Sequence, residues 1–201
     1  MKTFNTKVRQ LAMPVSMIVL ALTAMGPLQV MAQDGHSHAT AKQVGAQQET
    51  DAETLVKIVR RATERFTDVK VAQAEGYALQ FGCVSGSDDG AMGLHYVNGA
   101  LVGKGELDAT RPQIVIYEPL PNGELKLIGA DFLVLADDWN KKHPGTPPEL
   151  MGQLFHLFES PNRFGLPAFY TLHVWAWKDN PNGAYVNWHP NVNCKNYAPQ
   201  K

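Results

Sequence analysis

Apolar residues recur at three- and four-residue intervals through Leu55, Val59, Ala62, Phe66 and Val69. That is the period of a helix that buries one stripe and leaves the rest in water. Lys57, Arg60, Arg61, Glu64 and Arg65 occupy much of the remainder. Thr50 followed three residues later by Glu53 has the form of a capping box, so the helix is expected to begin at Thr50. A break near Thr67-Asp68 and a second helical piece ending at Gly76 complete this part of the pattern. From residue 94 the period changes. Residues 94–97, 113–118 and 125–135 are apolar or β-branched runs separated by turn residues, which reads as strands. Pro121-Asn122-Gly123 fits a tight reversal and predicts that 114–117 and 125–128 are antiparallel neighbours. Residues 143–148 and 162–167 are rich in turn formers and read as loops, the first ending in a short helix at Pro148-Glu149. Runs 169–178 and 184–188 flank Asp179-Asn180-Pro181-Asn182-Gly183 and predict a hairpin. Early helices and late strands describe an α+β domain, with N-terminal helices packed on a mainly antiparallel sheet bearing long loops.

The first 32 residues follow another logic. Lys2, Lys7 and Arg9 precede an apolar run from 11 to 25, and Val30-Met31-Ala32 ends in compact residues. This is the layout of a signal peptide over 1–32. The run is short for a membrane span, so no stable membrane insertion is expected once it is removed. Residues 33–50, with Gly35, Gly45, His36 and His38, read as a flexible leader, and 51–201 as a single domain. The whole chain has 18 basic and 19 acidic residues. Removing the signal takes three basic residues and no acidic one, leaving a net charge of −4. Slight acidity without a Lys/Arg cluster argues against nucleic acid as a partner. The expected location is periplasmic or secreted, where the two cysteines, Cys83 and Cys194, would form one disulfide.

Candidate chemistry gathers on histidines. Alternation along 170–177 places Tyr170, Leu172, Val174 and Ala176 on one face and Thr171, His173, Trp175 and Trp177 on the other. The second set is a polar-aromatic surface of the kind that lines a pocket. His95 and His156 likewise stand among apolar and aromatic neighbours. Each histidine taken alone reads as a structural hydrogen-bonding residue. Together, three converging neutral imidazoles would suit zinc or copper. Glu118 or Glu159 would add an oxygen ligand, and Met92 and Met151 would favour copper if they faced the site. Ser85 and Ser87 lack a nucleophile-elbow context, and the glycines between 82 and 99 make no phosphate loop. Trp139, Trp175, Trp177 and Trp188, with Tyr96, Tyr170 and Tyr185, suggest an alternative, a platform for a sugar ring or another small molecule.

Several segments resemble a family of uncharacterised exported bacterial proteins. They include Gly93-Leu94-His95-Tyr96-Val97-Asn98, Gly152-Gln153 with Phe155-His156, and Leu172-His173-Val174-Trp175-Ala176-Trp177, followed by Asn180-Pro181-Asn182-Gly183, Trp188-His189-Pro190 and Cys194. The resemblance covers roughly residues 60–194 and implies that His95, His156 and His173 belong to the family pattern. That pattern has Asn in place of His189, which leaves His189 outside the implied ligand set. The resemblance lends no activity. The expectation is therefore an exported protein binding copper or zinc through His95, His156, His173 and Glu118, with carbohydrate or small-molecule binding and metal-dependent catalysis as the alternatives.

Overall fold

The computed structural model describes residues 37–198, so the signal segment 1–32 and His36 lie outside the described residues. The chain is α+β, in the order α1 (Ser37–Thr63), a 3-10 turn (Glu64–Thr67), α2 (Val69–Ala74), β1 (Ala78–Ser85), β2 (Ala91–Val97), α3 (Gly99–Lys104), β3 (Ile114–Pro119) and β4 (Leu125–Leu135). It continues with α4 (Ala136–Lys142), β5 (Glu149–Leu150), β6 (Gln153–Leu154), β7 (His156–Phe158) and β8 (Phe169–Val174). Six strands form one antiparallel sheet in the order β1-β2-β3-β4-β8-β7, and β5 and β6 pair separately. The four strands β1 to β4 are thus a meander, and the chain then returns to place β8 beside β4.

The apolar stripe of α1 behaves as its period requires. Leu55 and Val59 are fully buried against Ala130, Phe132, Leu172 and Val174 of the sheet. Phe66 in the 3-10 turn packs with Tyr77, Leu94, Val115, Tyr117 and Leu127, extending the same layer. The break comes where the sequence places it: Asp68 caps α2, its carboxylate accepting from the Lys70 amide at 2.9 Å. The start of α1 differs from expectation. Helix already covers 37–50, so the capping box is not used, and the Thr50 hydroxyl donates to the Ala46 carbonyl one turn back at 2.9 Å. A helix that has already begun satisfies the Thr50 and Glu53 amides internally, so a cap has nothing to do.

Strand 1 and helices α3 and α4 carry no clear periodic signal and were not expected. β1 is an edge strand with a largely exposed or half-buried pattern. Pro148-Glu149 opens a two-residue strand instead of a helix. The hairpin over 169–178 and 184–188 does not form. β8 ends at Val174 and finds its partners in β4 and β7, while the Trp175 amide reaches the Ala184 carbonyl at 2.9 Å in a lone backbone hydrogen bond. Two β-sheet neighbours offer β8 six register pairs on one side and three on the other, more than a two-strand ribbon could supply.

The second face of the sheet has no long helix over it, only Val102 of the short α3 packing against it. It carries Ala91, Ile114, Ile116, Ile128, Leu133, Phe158, Phe169 and Trp175, and it is otherwise covered by irregular chain contributing Phe164, Leu166, Val192 and Cys194. The C-terminal part of this cover is fastened twice. His189 and Ala91 exchange backbone hydrogen bonds, both at 3.2 Å. Cys194 is joined to Cys83 on β1 across 111 positions, with an S–S length of 2.06 Å. Closing a loop of that length contributes about 4–5 kcal/mol in the chain-entropy account.

Candidate metal centre

β4 decides which residues enter the site. Its pairing with β3 skips a residue, from Ile116↔Gly129 to Tyr117↔Leu127, so Ile128 is an extra residue and the strand changes parity there. Leu127 therefore packs in the layer beneath the helical segments, yet Asp131, four residues on, faces away from that layer. Strict alternation would have put both on the same side. The close approach of β8 at this point also requires Gly129, where a Cβ would stand 2.6 Å from the Val174 carbonyl oxygen.

Three side chains then meet on this second face. Asp131 and His173 are direct cross-strand partners on β4 and β8, and His95 reaches them from β2, across β3. One ligand atom from each of His95, Asp131 and His173 lies within 4.8 Å of the others. All three are buried, with exposures of 6%, 6% and 1%. The two imidazoles stand edge to face with ring centres 6.1 Å apart. Gly93 supports His95 from below: its carbonyl lies 3.2 Å from His95 Nδ1. In the neutral ring that nitrogen donates, which leaves Nε2 as the lone-pair donor. Gly93 itself has φ 97, and a Cβ there would sit 2.6 Å from the Tyr117 carbonyl oxygen, so a side chain has no room.

The polar balance of this cluster is unusual. The Thr171 hydroxyl donates to Asp131 Oδ1 at 2.5 Å, but His173 Nδ1 is 4.0 Å from Asp131 Oδ2, too far for a hydrogen bond. His173 Nε2 is buried with no partner at all. A buried polar atom left alone costs on the order of 1–3 kcal/mol, so a ring with neither nitrogen engaged needs a reason. Burial pushes the Asp131 carboxyl up to about 7, against the Thr171 hydroxyl and the Phe132 and Leu172 amides, which pull it down. Burial also lowers His95 to about 4 and holds His173 well below its ordinary value, with His95 and His189 adding to the latter effect. Two neutral imidazoles and one carboxyl group therefore face each other with no lysine or arginine paired to Asp131 among the described residues. What the cluster lacks is a positive charge.

The expected ligand residues divide. His95 and His173 come together. His156 does not join them: it is exposed on the edge strand β7. Glu118 is also occupied elsewhere, since its carboxylate accepts from Lys178 Nζ at 2.7 Å. Glu159 is exposed beyond β7. Met92 lines the cavity beside the histidines, whereas Met151 packs against the α1 layer. His189 has both nitrogens engaged, Nδ1 accepting from the Asn191 amide at 3.0 Å and Nε2 donating to the Asp179 carbonyl at 3.1 Å. Asp131 is the candidate ligand that reading the sequence missed. Its signal was present: a lone carboxylate in an eleven-residue apolar strand, with neither cap nor turn to use it.

The tryptophans do not form a platform. Trp139 stacks on His143, Trp177 reaches Thr63 of α1 through its Nε1, and Trp188 lies beneath Arg163. Trp175 packs against the outer side of the His173 ring, with centroids 4.4 Å apart, and its Nε1 donates to the Val186 carbonyl at 2.6 Å. Trp177 thus leaves the face that alternation assigned to it, because the strand ends at Val174. The cavity beside the triad is lined by no tryptophan or tyrosine.

Comparison of the chain with protein-family models, with characterised proteins and with solved structures finds no match.

Proposed function

We propose that this is an exported protein that binds one divalent transition-metal ion through His95, His173 and Asp131. The observation that carries the reading is the buried, unpartnered Nε2 of His173 within a cluster holding a carboxyl group and no cation. An ion supplies what the cluster lacks: it takes the free lone pairs and balances the carboxylate, as buried charges demand. Two imidazole nitrogens and one carboxylate oxygen are the donors of three-ligand zinc sites that keep a position open, and the same set suits iron(II). Copper, the other expected metal, gains support only from the Met92 thioether in the cavity wall. Tetrahedral bonds of about 2.0–2.2 Å hold donors roughly 3.4 Å apart, so binding would draw the three side chains inward by about 1 Å.

Export rests on the charged and apolar pattern of residues 1–32 and on the Cys83–Cys194 disulfide, which favours an oxidising compartment. Three protein donors leave a coordination position for water or a substrate, so metal-dependent catalysis and metal delivery both fit this site. Elemental analysis of protein purified without an affinity tag, before and after exposure to zinc, iron(II) and copper, tests the proposal. The expected result is about one ion per chain, lost in His173→Ala. Absence of bound metal in the wild type after all three exposures contradicts it.

A further inference from the structure

The cavity that adjoins the triad has a shape of its own. Its volume is about 30 Å³, and a single water needs roughly 10–15 Å³ on that measure. Its floor is formed by the three polar side chains with Met92, Ile114, Leu133 and Phe169. Phe158, Phe164 and Phe81 also line it, and Phe81 is 45% exposed to solvent. These rings are in mutual contact. Phe164 lies 5.4 Å from Phe81, 6.1 Å from Phe158 and 6.0 Å from Phe169 between ring centres. Phe158 and Phe169 stack at 5.1 Å. Phe164 is thus at the centre of the aromatic group that lines the cavity between the triad and the exposed Phe81 ring.

Resting on the metal reading above, the geometry points to an exogenous ligand of two or three non-hydrogen atoms, of the class of dioxygen and the linear pseudohalides, that reaches the ion's open position through this phenylalanine mouth. Size sets the upper limit: two or three water-sized volumes cannot hold a sugar ring, a peptide or an imidazole. The walls set the polarity. Apart from Thr171 and Asn187, every lining residue other than the triad is apolar, so a ligand that must shed a large hydration shell is disfavoured. A metal ligand that is small and needs few hydrogen bonds meets both conditions.

The test uses the full mature chain loaded with cobalt(II), whose visible bands report changes in coordination. Azide and imidazole are the probes, and cobalt content is measured after desalting at the end of each titration. Azide is expected to shift the bands with cobalt retained, while imidazole binds more weakly by roughly tenfold or more. Phe164→Ala should narrow that gap by admitting imidazole, and Phe81→Ala at the exposed rim should act in the same direction with less risk to folding. Equal binding of azide and imidazole to the cobalt-loaded wild type overturns the size limit. Failure of cobalt to load overturns the metal reading, and this inference with it.

Discussion

The two faces of the central sheet solve opposite problems. Beneath α1, Ala130, Phe132, Leu172 and Val174 meet Leu55 and Val59 in a layer built from apolar side chains alone. On the other face the same two strands present Asp131, Thr171 and His173, buried just as deeply but under irregular chain and a disulfide. Adjacent residues of one strand thus supply both: Phe132 belongs to the first face and Asp131 to the second. The helical face is organised for stability. The covered face gives up hydrogen bonds and charge balance, which the proposed ion would restore.

The comparison is broken most severely by emptying the helical face. Phe132→Ala should cost about 3–5 kcal/mol through lost burial and the cavity left behind. Among the molecules that stay folded, metal stoichiometry should be unchanged. Urea unfolding and elemental analysis on the same preparation check both statements, and loss of metal from folded Phe132→Ala would show that the two faces are not independent.

Asp131→Asn inverts this profile. Metal affinity should fall by about 100-fold or more, since a ligand is removed directly where outer partners alone cost 10–100-fold. In chelator at pH 8, however, the variant should be more stable than the wild type by about 1–2 kcal/mol, because an ionised carboxylate is no longer buried. A destabilised Asp131→Asn under those conditions would mean that the carboxylate serves the fold.

A gentler test lies in pH. Asp131, raised to about 7 by burial, is protonated in the folded, metal-free protein below that value and must lose its proton to bind an ion. Metal affinity should therefore rise by about tenfold per pH unit from 5 to 7 and level off above, with one proton released per ion below 7. His95, lowered to about 4, is neutral throughout that range and adds nothing to the slope. The same groups act oppositely on metal-free stability. His95 takes up a proton in the unfolded chain but not in the folded one between about 4 and 6.5, so its contribution grows as pH rises there. Asp131 is protonated in the folded chain and ionised in the unfolded one between about 4 and 7, so its contribution declines over that window. Calorimetric titration in buffers of different ionisation heat measures the released proton. The smallest effect is expected for His156→Ala, an exposed edge-strand substitution that should stay within about 0.5 kcal/mol of wild type and leave metal binding intact.

How far the sequence revealed this arrangement follows from the same contrast. The helical face was legible because a 3.6-residue stripe through Leu55 and Val59 and alternation through Leu172 and Val174 are local patterns with one solution. His95 and His173 stood out as polar residues in apolar strands. Asp131 did not, because the extra residue at Ile128 reverses the parity that would relate it to Leu127, and no local pattern announces a bulge. His156 was drawn in by its apolar and aromatic neighbours and by the resemblance, and Glu118 by residue type. Whether a strand lies at the edge, or a lysine arrives from sixty residues away to claim a carboxylate, is a property of the folded chain. The expected hairpin after Val174 failed for the same reason: β8 takes its partners from β4 and β7, elements distant in sequence.

X-ray absorption at the metal edge of zinc-loaded wild-type protein and of His173→Ala tests the central claim most directly. The account predicts a wild-type shell of nitrogen and oxygen near 2.0–2.2 Å with the scattering signature of two imidazoles and no sulfur at about 2.3 Å, and loss of one imidazole or of all metal in the variant. A sulfur-containing shell, a shell of oxygen alone, or an imidazole count that His173→Ala leaves untouched would contradict it.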